Sequence, residues 1–278
     1  MTRNFLSLSD PITSSFVFGA SGLLGHALFS TLRGPKSGTF FTKEVSGCFR
    51  VSSRKLSKAK ITKIIKDFDD IYYCIALSDP SKCTKSPKLS KELNYRLPVK
   101  IAKVCKAMNK KFIYFSTEYV FKGNTKVKIK EENMPNNMQV YSRHKIAAEN
   151  YIKKNNKNYL ILRLAKIIGN SGHGSDFIQK WISNIKKSNE INIFTDQFVK
   201  PIPIKNVCIW TRKLAIKNCS GIFHLSGDEI YSRKALFEKF VRKKLKKRLQ
   251  KKINFISCPS SLPKSLFLSN HKVKSILK

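Results

Sequence analysis

Short apolar runs alternate with amphipathic segments over more than half of the chain. Runs rich in β-branched and aromatic residues predict buried strands at residues 16–18, 39–42, 71–77, 111–116 and 159–164. Segments with apolar positions at helical spacing predict helices at residues 23–32, 61–68, 89–109 and 141–154. Strands that alternate with helices over short connections are typical of the α/β class. The pattern therefore predicts a Rossmann-like, doubly wound parallel sheet.

Three glycines spaced G-x-x-G-x-x-G join the first predicted strand to the first predicted helix. Gly19 permits a tight turn, Gly22 lets backbone amides approach a phosphate, and Gly25 lets the helix pack close to the sheet. A strand before the motif and a helix after it are the context that a dinucleotide-binding loop needs. We therefore predict that the pyrophosphate of a dinucleotide cofactor binds at Gly19, Ser21, Gly22, Leu23, Leu24 and Gly25.

The regular alternation of strands and helices ends after Gly169. We expect residues 1–168 to form an NAD(P)-binding Rossmann domain. Residues 169–278 are expected to form a smaller, mixed lobe that binds the substrate, although part of residues 200–225 is expected to return to the first domain.

The region after the second predicted strand is basic where an NAD-binding fold would carry an acid for the ribose hydroxyls. Lys43, Arg50, Arg54 and Lys55 lie there, and Glu44 is the only carboxylate. Basic side chains suit a 2′-phosphate, so the sequence favours NADP(H) over NAD(H), which stays open, and makes Arg54 a candidate contact.

A tyrosine and a lysine lie four residues apart in Tyr141-Ser-Arg-His-Lys145 and would share one face of a helix. A neighbouring ammonium favours the phenolate, so we expect Lys145 to lower the pKa of Tyr141 and make it a general acid. The preceding strand ends in the hydroxyls of Ser116 and Thr117. The carboxyl end of such a strand borders the crevice where open α/β sheets bind ligands.

The motifs GASGLLG (19–25), STEYVF (116–121) and YSRHK (141–145) together resemble the extended short-chain dehydrogenase/reductases. Within that group the chain is most similar to the dTDP-4-dehydrorhamnose reductase family. Segments at 162–169, 195–204, 221–227 and 263–277 resemble later segments of that family in the same order. The resemblance implies NADP(H)-dependent reduction of a 4-keto nucleotide sugar in the synthesis of surface polysaccharide precursors.

The resemblance also implies roles for individual residues. Thr117 would hydrogen-bond the substrate carbonyl, Tyr141 would donate the proton, and Lys145 would be its electrostatic partner and a ribose contact. Further cofactor contacts are implied at Ala76 and Ser116. The implied substrate contacts are Thr117, Glu118, Lys166 and Gln197.

The substrate half departs from the family pattern. Lys166 stands where the family has a tryptophan at the sugar pocket, and Val199 and Ile202 replace its glycine and threonine. Glu118 is one methylene longer than the family's acid. These departures leave two alternatives open: a nucleotide-sugar epimerase that uses the same Tyr/Lys pair, and a non-catalytic dinucleotide-binding subunit, as in the regulatory subunit of methionine adenosyltransferase.

The chain is strongly basic, with 55 lysines and arginines against 17 aspartates and glutamates and a formal net charge of +38. Both halves are basic and neither carries a separate basic arm, so we interpret the charge as a solvated surface and expect no specific nucleic-acid partner. Around the basic run 242–252, apolar residues at 236, 240, 245 and 249 are typical of a helix with a core-facing stripe.

The seven cysteines are odd in number and form no C-x-x-C motif. We expect free thiols, no metal site and a reducing, cytoplasmic compartment. No apolar run reaches the roughly 18 residues of a membrane helix, so no membrane span is expected, and residues 1–15 lack the apolar core of a signal peptide. The sequence is compatible with a homo-oligomer.

Overall fold

A single parallel sheet organises the protein in the computed structural model, which describes residues 12–52, 56–123, 127–169, 173–174, 176–187, 190–242, 245, 253–260 and 262–278. The strands are β1 Ser15–Phe18, β2 Lys36–Phe40, β3 Cys48–Arg50, β4 Asp70–Tyr73, β5 Lys111–Thr117, β6 Tyr159–Leu164, β7 Ile167–Ile168, β8 Ile191–Phe194, β9 Phe198–Val199, β10 Ile202–Pro203, β11 Gly221–Leu225, β12 Tyr231–Ser232 and β13 Ile253–Ile256. Seven of them form the main sheet in the order β11-β6-β5-β4-β1-β2-β3.

The helices are α1 Leu23–Thr31, α2 Lys58–Ile65, α3 Pro80–Lys85, α4 Pro87–Lys91, α5 Leu97–Ala107, α6 Val140–Asn155, α7 Phe177–Lys186, α8 Ile204–Ile216, α9 Arg233–Phe240 and α10 His271–Leu277. Apolar residues of α1, α8 and α10 pack on one face of the main sheet. Those of α2, α5 and α6 pack on the other face. Because helices cover both faces, β1, β4 and β5 are buried at every position. The predicted Rossmann-like α/β fold is confirmed.

The strand order changes direction at β1, which pairs with β2 on one side and with β4 on the other. Connections that leave this point run to opposite sides of the sheet, so a crevice opens at the carboxyl ends of the strands. The carboxyl ends of β1, β4 and β5 border that crevice.

After β6 the chain forms a second layer. Its two-stranded pairs are β7 with β10, β8 with β13 and β9 with β12, and its apolar centre includes Trp181 of α7 and Phe237 of α9. Between these elements the chain returns to the main layer, since α8 packs on α1 and β11 pairs with β6.

The second strand begins earlier than predicted, because β2 covers Lys36–Phe40 rather than residues 39–42. Gly38 lies inside it, and a Cβ there would come within 2.5 Å of the carbonyl oxygen of Val17. Glycine therefore lets β2 lie close against β1. The short edge strand β3 lies where no strand was predicted, and two of its three residues are exposed.

The third predicted strand ends earlier than expected, because β4 stops at Tyr73 rather than residue 77. The N–H of Cys74 still donates to the carbonyl of Phe18. Beyond this point Gly19 turns the neighbouring chain away with φ +88°, and Ile75 packs directly on it. The strand ends because its partner strand ends.

The predicted helix at residues 89–109 forms as α4, a π-helical stretch Glu92–Arg96, and α5. Pro98 has no N–H to donate, which leaves main-chain carbonyls of the preceding turn without helical partners. The hydroxyls of Tyr73 and Tyr114 donate to the carbonyls of Leu93 and Asn94 at 2.6 and 3.1 Å. Two tyrosines of the main sheet thus supply hydrogen-bond donors to the carbonyls of the π-helical turn.

The basic segment 242–252 lies largely outside the described residues, and α9 ends at Phe240. Among the described helices, none is both long and apolar enough to cross a membrane. All seven cysteines are unpaired.

Replacing Gly25 by alanine should destabilise the protein, because the added Cβ would lie 2.1 Å from the carbonyl oxygen of Gly19. Overpacking of this kind costs about 1–3 kcal/mol or more. Gly22→Ala is the matched control, since its Cβ would come no closer than 3.6 Å to the same oxygen; we expect it to cost less than ~1 kcal/mol. Urea unfolding measures both variants, and equal losses would contradict the close helix–strand contact.

Candidate active site

The glycine loop forms the turn that the sequence predicts between β1 and α1. Gly19 has a positive φ, and its N–H donates to Thr39 on β2. Gly22 is the N-cap of α1, and among the described residues no side chain caps this helix end. A Cβ added at Gly22 would come no closer than 3.6 Å to the described atoms, the nearest being the carbonyl oxygen of Gly19. A helix N-terminus that begins at such a glycine fits an anionic group such as a pyrophosphate.

Other predicted cofactor contacts lie around this loop. Ala76 is exposed and follows β4 at the carboxyl edge of the sheet. Arg50 extends from β3, and its Nε donates to the carbonyl of Phe41 just after β2 at 3.0 Å. Arg54 lies outside the described residues. Gly174 lies directly against the start of α1, where its Cβ would be 2.9 Å from the nitrogen of Leu23.

The two hydroxyls predicted to act on a substrate carbonyl lie together. Thr117 ends β5, Tyr141 lies in the first turn of α6, and the Thr117 side chain is close enough to act on the pKa of the Tyr141 phenol. Both residues are buried. The N–H of Tyr119 donates to Thr117 Oγ1 at 3.2 Å and fixes that hydroxyl oxygen from the other side.

The expectation that Lys145 lowers the pKa of Tyr141 is wrong for this structure. Burial raises the pKa of the Tyr141 phenol well above its usual value, and the nearby Thr117 side chain opposes this only in part. The Nζ of Lys145 instead donates to the carbonyl of Phe115 at 2.7 Å and lies 4.4 Å from the ring centroid of Tyr114. The cost of removing water from the phenolate is larger than the stabilisation by an ammonium that donates its hydrogen bond to another group.

Lys145 is itself perturbed. Burial lowers the pKa of its ammonium to about 7, and the carboxylate of Glu149 is the largest group that opposes the shift. Tyr141, Lys145 and Glu149 are spaced by four residues and lie on one face of α6. Glu149 is therefore a site residue that the sequence reasoning missed, although its helical spacing was readable.

Glu149 belongs to a buried network. Arg163 of β6 donates from Nη2 to Glu149 Oε2 at 2.7 Å and from Nε at 3.1 Å. Ser116, a predicted cofactor contact, donates its hydroxyl to Glu149 Oε1. In this arrangement Ser116 links β5 to α6. The network fixes the helix that carries Tyr141 against the two strands beside it.

Glu118, a predicted substrate contact, follows Thr117 and is buried. Its Oε2 atom is buried and has no hydrogen-bond partner among the residues that the structure describes. Burial raises the pKa of this carboxyl to about 7, although the charges of Lys166 and Arg233 act to lower it. The structure thus brings two cations close to a carboxyl beside the reacting hydroxyls.

The two cations come from different layers. Lys166 follows β6, and its Nζ lies 4.4 Å from the ring centroid of Tyr119. Arg233 begins α9 and was not predicted, because nothing local in its sequence indicates that it meets Glu118. Gln197 reaches the site through its main chain, which accepts a hydrogen bond from the Arg233 N–H at 2.8 Å.

The amide of Gln197 is directed away from this cluster, since its Nε2 donates to the carbonyl of Pro263 at 2.8 Å. Its side chain therefore anchors the C-terminal segment. Within the described ranges, no three His, Cys, Asp or Glu side chains come together as metal ligands would.

Known proteins share this architecture. The family model described as RmlD substrate binding domain matches residues 14–272. The probable low-salt glycan biosynthesis reductase Agl14 of Haloferax volcanii is 30% identical over 225 residues, which cover 77% of this chain and 74% of that protein. Methionine adenosyltransferase 2 subunit beta of Xenopus laevis is 27% identical over 239 residues, 79% of this chain and 68% of that protein.

Among solved structures, dTDP-4-dehydrorhamnose reductase from Bacillus anthracis in complex with NADP has the same fold. It matches with a TM-score of 0.77 and 20% identity, over 95% of this chain and 93% of that chain.

Replacing Glu149 by glutamine should move the pKa of Lys145 further below about 7, because the carboxylate is the largest group that favours the ammonium. Glu118→Gln is the control, since Glu118 is equally buried but is not among the groups that shift Lys145. NMR titration of 13Cε-labelled lysine, with Lys145→Arg to assign the signal, follows both variants.

The Glu149 variant also leaves Arg163 buried without its partner, which costs about 3–5 kcal/mol. Titrations are therefore restricted to conditions where circular dichroism shows folded protein. If the pKa of Lys145 were unchanged in folded Glu149→Gln, the electrostatic coupling between Glu149 and Lys145 would be contradicted. The role of Glu149 would then be limited to its ion pair with Arg163.

Proposed function

The chain belongs to the family of the RmlD substrate binding domain, and on that premise we propose that it is an NADPH-dependent reductase of a 4-keto nucleotide sugar. The family match also confirms the resemblance seen in the motifs. The observation that carries the proposal is that Thr117 and Tyr141 lie buried beside each other at the carboxyl edge of the sheet, with Lys145 one helical turn from Tyr141.

The residues that would hold the cofactor surround the switch point of the sheet. The Gly19–Gly25 loop and the N-terminus of α1 would hold its pyrophosphate, and Lys145 would hold a ribose hydroxyl. Arg50 and Arg54 would hold a 2′-phosphate. The nicotinamide ring supplies a hydride when the dinucleotide is bound.

The chain's own residues move the proton and stabilise charge. Because burial raises its pKa, Tyr141 keeps its proton at neutral pH and can donate it to the ketone oxygen as negative charge develops there. Thr117 donates a hydrogen bond to the same oxygen. In this structure Lys145 Nζ donates to the carbonyl of Phe115, so it would have to turn towards Tyr141 to stabilise the phenolate that remains. Glu149 favours the ammonium form that this requires.

We assign residues 1–168 to cofactor binding and residues 169–278 to substrate binding, with α8 and β11 of the later segment in the main layer. The name of the Haloferax relative supports a place in glycan synthesis, and the unpaired cysteines suit a reducing, cytoplasmic compartment.

NADPH should bind at least ~10-fold more tightly than NADH, because two or more charge-assisted contacts to a 2′-phosphate are worth about 1.5–3 kcal/mol each. Fluorescence titration at one salt concentration measures both dissociation constants. Arg50→Ala should reduce the preference. Arg96→Ala removes the same charge from an exposed site on another face and should leave it intact; a preference for NADH would place the basic cluster elsewhere.

Tyr141→Phe should lower turnover of a 4-keto nucleotide sugar by about 10² or more, the usual scale for losing a positioned general acid. Turnover is followed as NADPH oxidation with product analysis. NADPH affinity and stability should persist, because only the hydroxyl is removed. Tyr151→Phe removes a hydroxyl from the same helix, away from Thr117, and should have wild-type turnover.

The similarity to methionine adenosyltransferase 2 subunit beta favours a second candidate, a non-catalytic dinucleotide-binding subunit. This candidate would take first place if Tyr141→Phe matched the wild-type rate, or if the wild type bound NADPH but reduced none of the 4-keto nucleotide sugars offered. The buried Thr117–Tyr141 pair beside Lys145 supports the reductase.

A further inference from the structure

We propose that the sugar of the substrate carries a carboxylate, which Lys166 and Arg233 bind beside Glu118. This inference rests on the proposed function and narrows its substrate class to acidic nucleotide sugars. It follows from the position of two cations near the carboxyl of Glu118, beside the reacting hydroxyls: both charges act on that carboxyl, Lys166 lies over the ring of Tyr119 next to it, and among the described residues the three side chains form no ion pair with one another.

Glu118 differs from the other buried carboxylate of the site. Glu149 is fully engaged, with Arg163 at 2.7 Å and the hydroxyl of Ser116. In the described part of the chain, Glu118 forms no ion pair, and its Oε2 has no hydrogen-bond partner. Buried polar atoms without partners are rare in proteins. Lys166 and Arg233 are therefore near Glu118 but are not its structural counter-ions in the way that Arg163 is for Glu149.

Arg233 is held by aromatic rings rather than by acceptor oxygens. Its guanidinium carbon lies 4.9 Å from the ring centroid of Trp181, 5.3 Å from that of Phe177 and 5.9 Å from that of Phe194. Ring faces attract the cation but accept none of its N–H groups in hydrogen-bonded pairs. Burial lowers the pKa of Arg233 below its usual value, so a desolvated charge is presented with its donors available.

Lys166 lies close to the carboxyl end of β5, where Thr117 is. Thr117 pairs in register with Leu164 at the end of β6, and Lys166 lies two residues further on. The main-chain carbonyl of Lys166 accepts the N–H of Ile202 at 2.9 Å, which fixes its position. A group bound between Lys166 and Glu118 is therefore close to the ketone that Thr117 and Tyr141 would address.

The three charges suit a carboxylate better than a neutral hydroxyl. Two cations against one carboxyl leave net positive charge, which an anionic substituent neutralises. A bound carboxylate also favours the protonated form of Glu118, whose O–H then donates to it while solvent supplies the proton. Because the pKa of Glu118 is already raised to about 7, affinity for the acid should fall as pH rises above that value, where Glu118 is ionised and repels it.

The test is calorimetric binding to the full chain, with UDP-glucuronic acid, UDP-glucose and UDP as probes and with the corresponding thymidine nucleotides. We expect the uronic acid to bind ~10-fold or more tightly than the glucose at pH 6.5, the scale of one charge-assisted hydrogen bond. Lys166→Gln and Arg233→Gln should each reduce this ratio and leave UDP affinity unchanged. Lys63→Gln, an exposed lysine on α2, should leave the ratio intact.

Arg233→Lys retains the charge should Arg233→Gln fail to fold, and it should keep part of the preference. Equal affinity of the wild type for the acidic and neutral sugars would overturn this inference and leave the proposed function standing. A parallel loss of UDP affinity in the variants would mean that the cations hold the diphosphate, which also overturns it. If no nucleotide or nucleotide sugar bound, the proposed function would fall and this inference with it.

Discussion

The buried carboxylate of Glu149 is the constraint on which the geometry of the site depends. It extends from α6, accepts a hydrogen bond from Ser116 on β5 and pairs with Arg163 on β6. Of these elements, α6 carries Tyr141, β5 ends in Thr117, and β6 leads into the part of the chain that forms the second layer. A buried pair adds little net stability over apolar packing, but each partner makes any other arrangement expensive. The network therefore favours one packing position of α6 against β5 and β6.

Burial shifts the pKa values of the acidic and the basic groups of the site in opposite directions, and for the same physical reason. It raises the pKa of Tyr141 and Glu118 and lowers that of Lys145, because the neutral form of each group is the one that tolerates a dry environment. The outcome suits reduction more than the motif alone suggests. A phenol that holds its proton is a donor in the starting state, and Lys145 lies close to the midpoint of its titration at neutral pH. Glu149 then matters for charge as well as for position.

The strands that are buried on both faces of the sheet are the elements that the sequence predicts best. The strand predicted at residues 159–164 forms with those bounds as β6, since an apolar run that helices cover needs little further information. The edge strand β3 is exposed and carries no such run, so its pairing with β2 could not be read from its residues. The same division holds in the site: Tyr141 and Lys145 share a helical face, whereas Arg233 joins Glu118 only through tertiary packing.

In the proposed function, chemistry and recognition rest on different parts of the fold. Tyr141 is fixed by the main sheet through the network below it, whereas Arg233 is fixed by the rings of the second layer and by its main-chain bond to Gln197. Gln197 in turn holds the C-terminal segment, so packing far from the reacting hydroxyls sets where Arg233 lies. In the proposed function, a change in the second layer would alter what binds beside Glu118 and leave the proposed proton donor in place. This separation would let the residues around Glu118 change while the predicted Tyr141/Lys145 motif is kept.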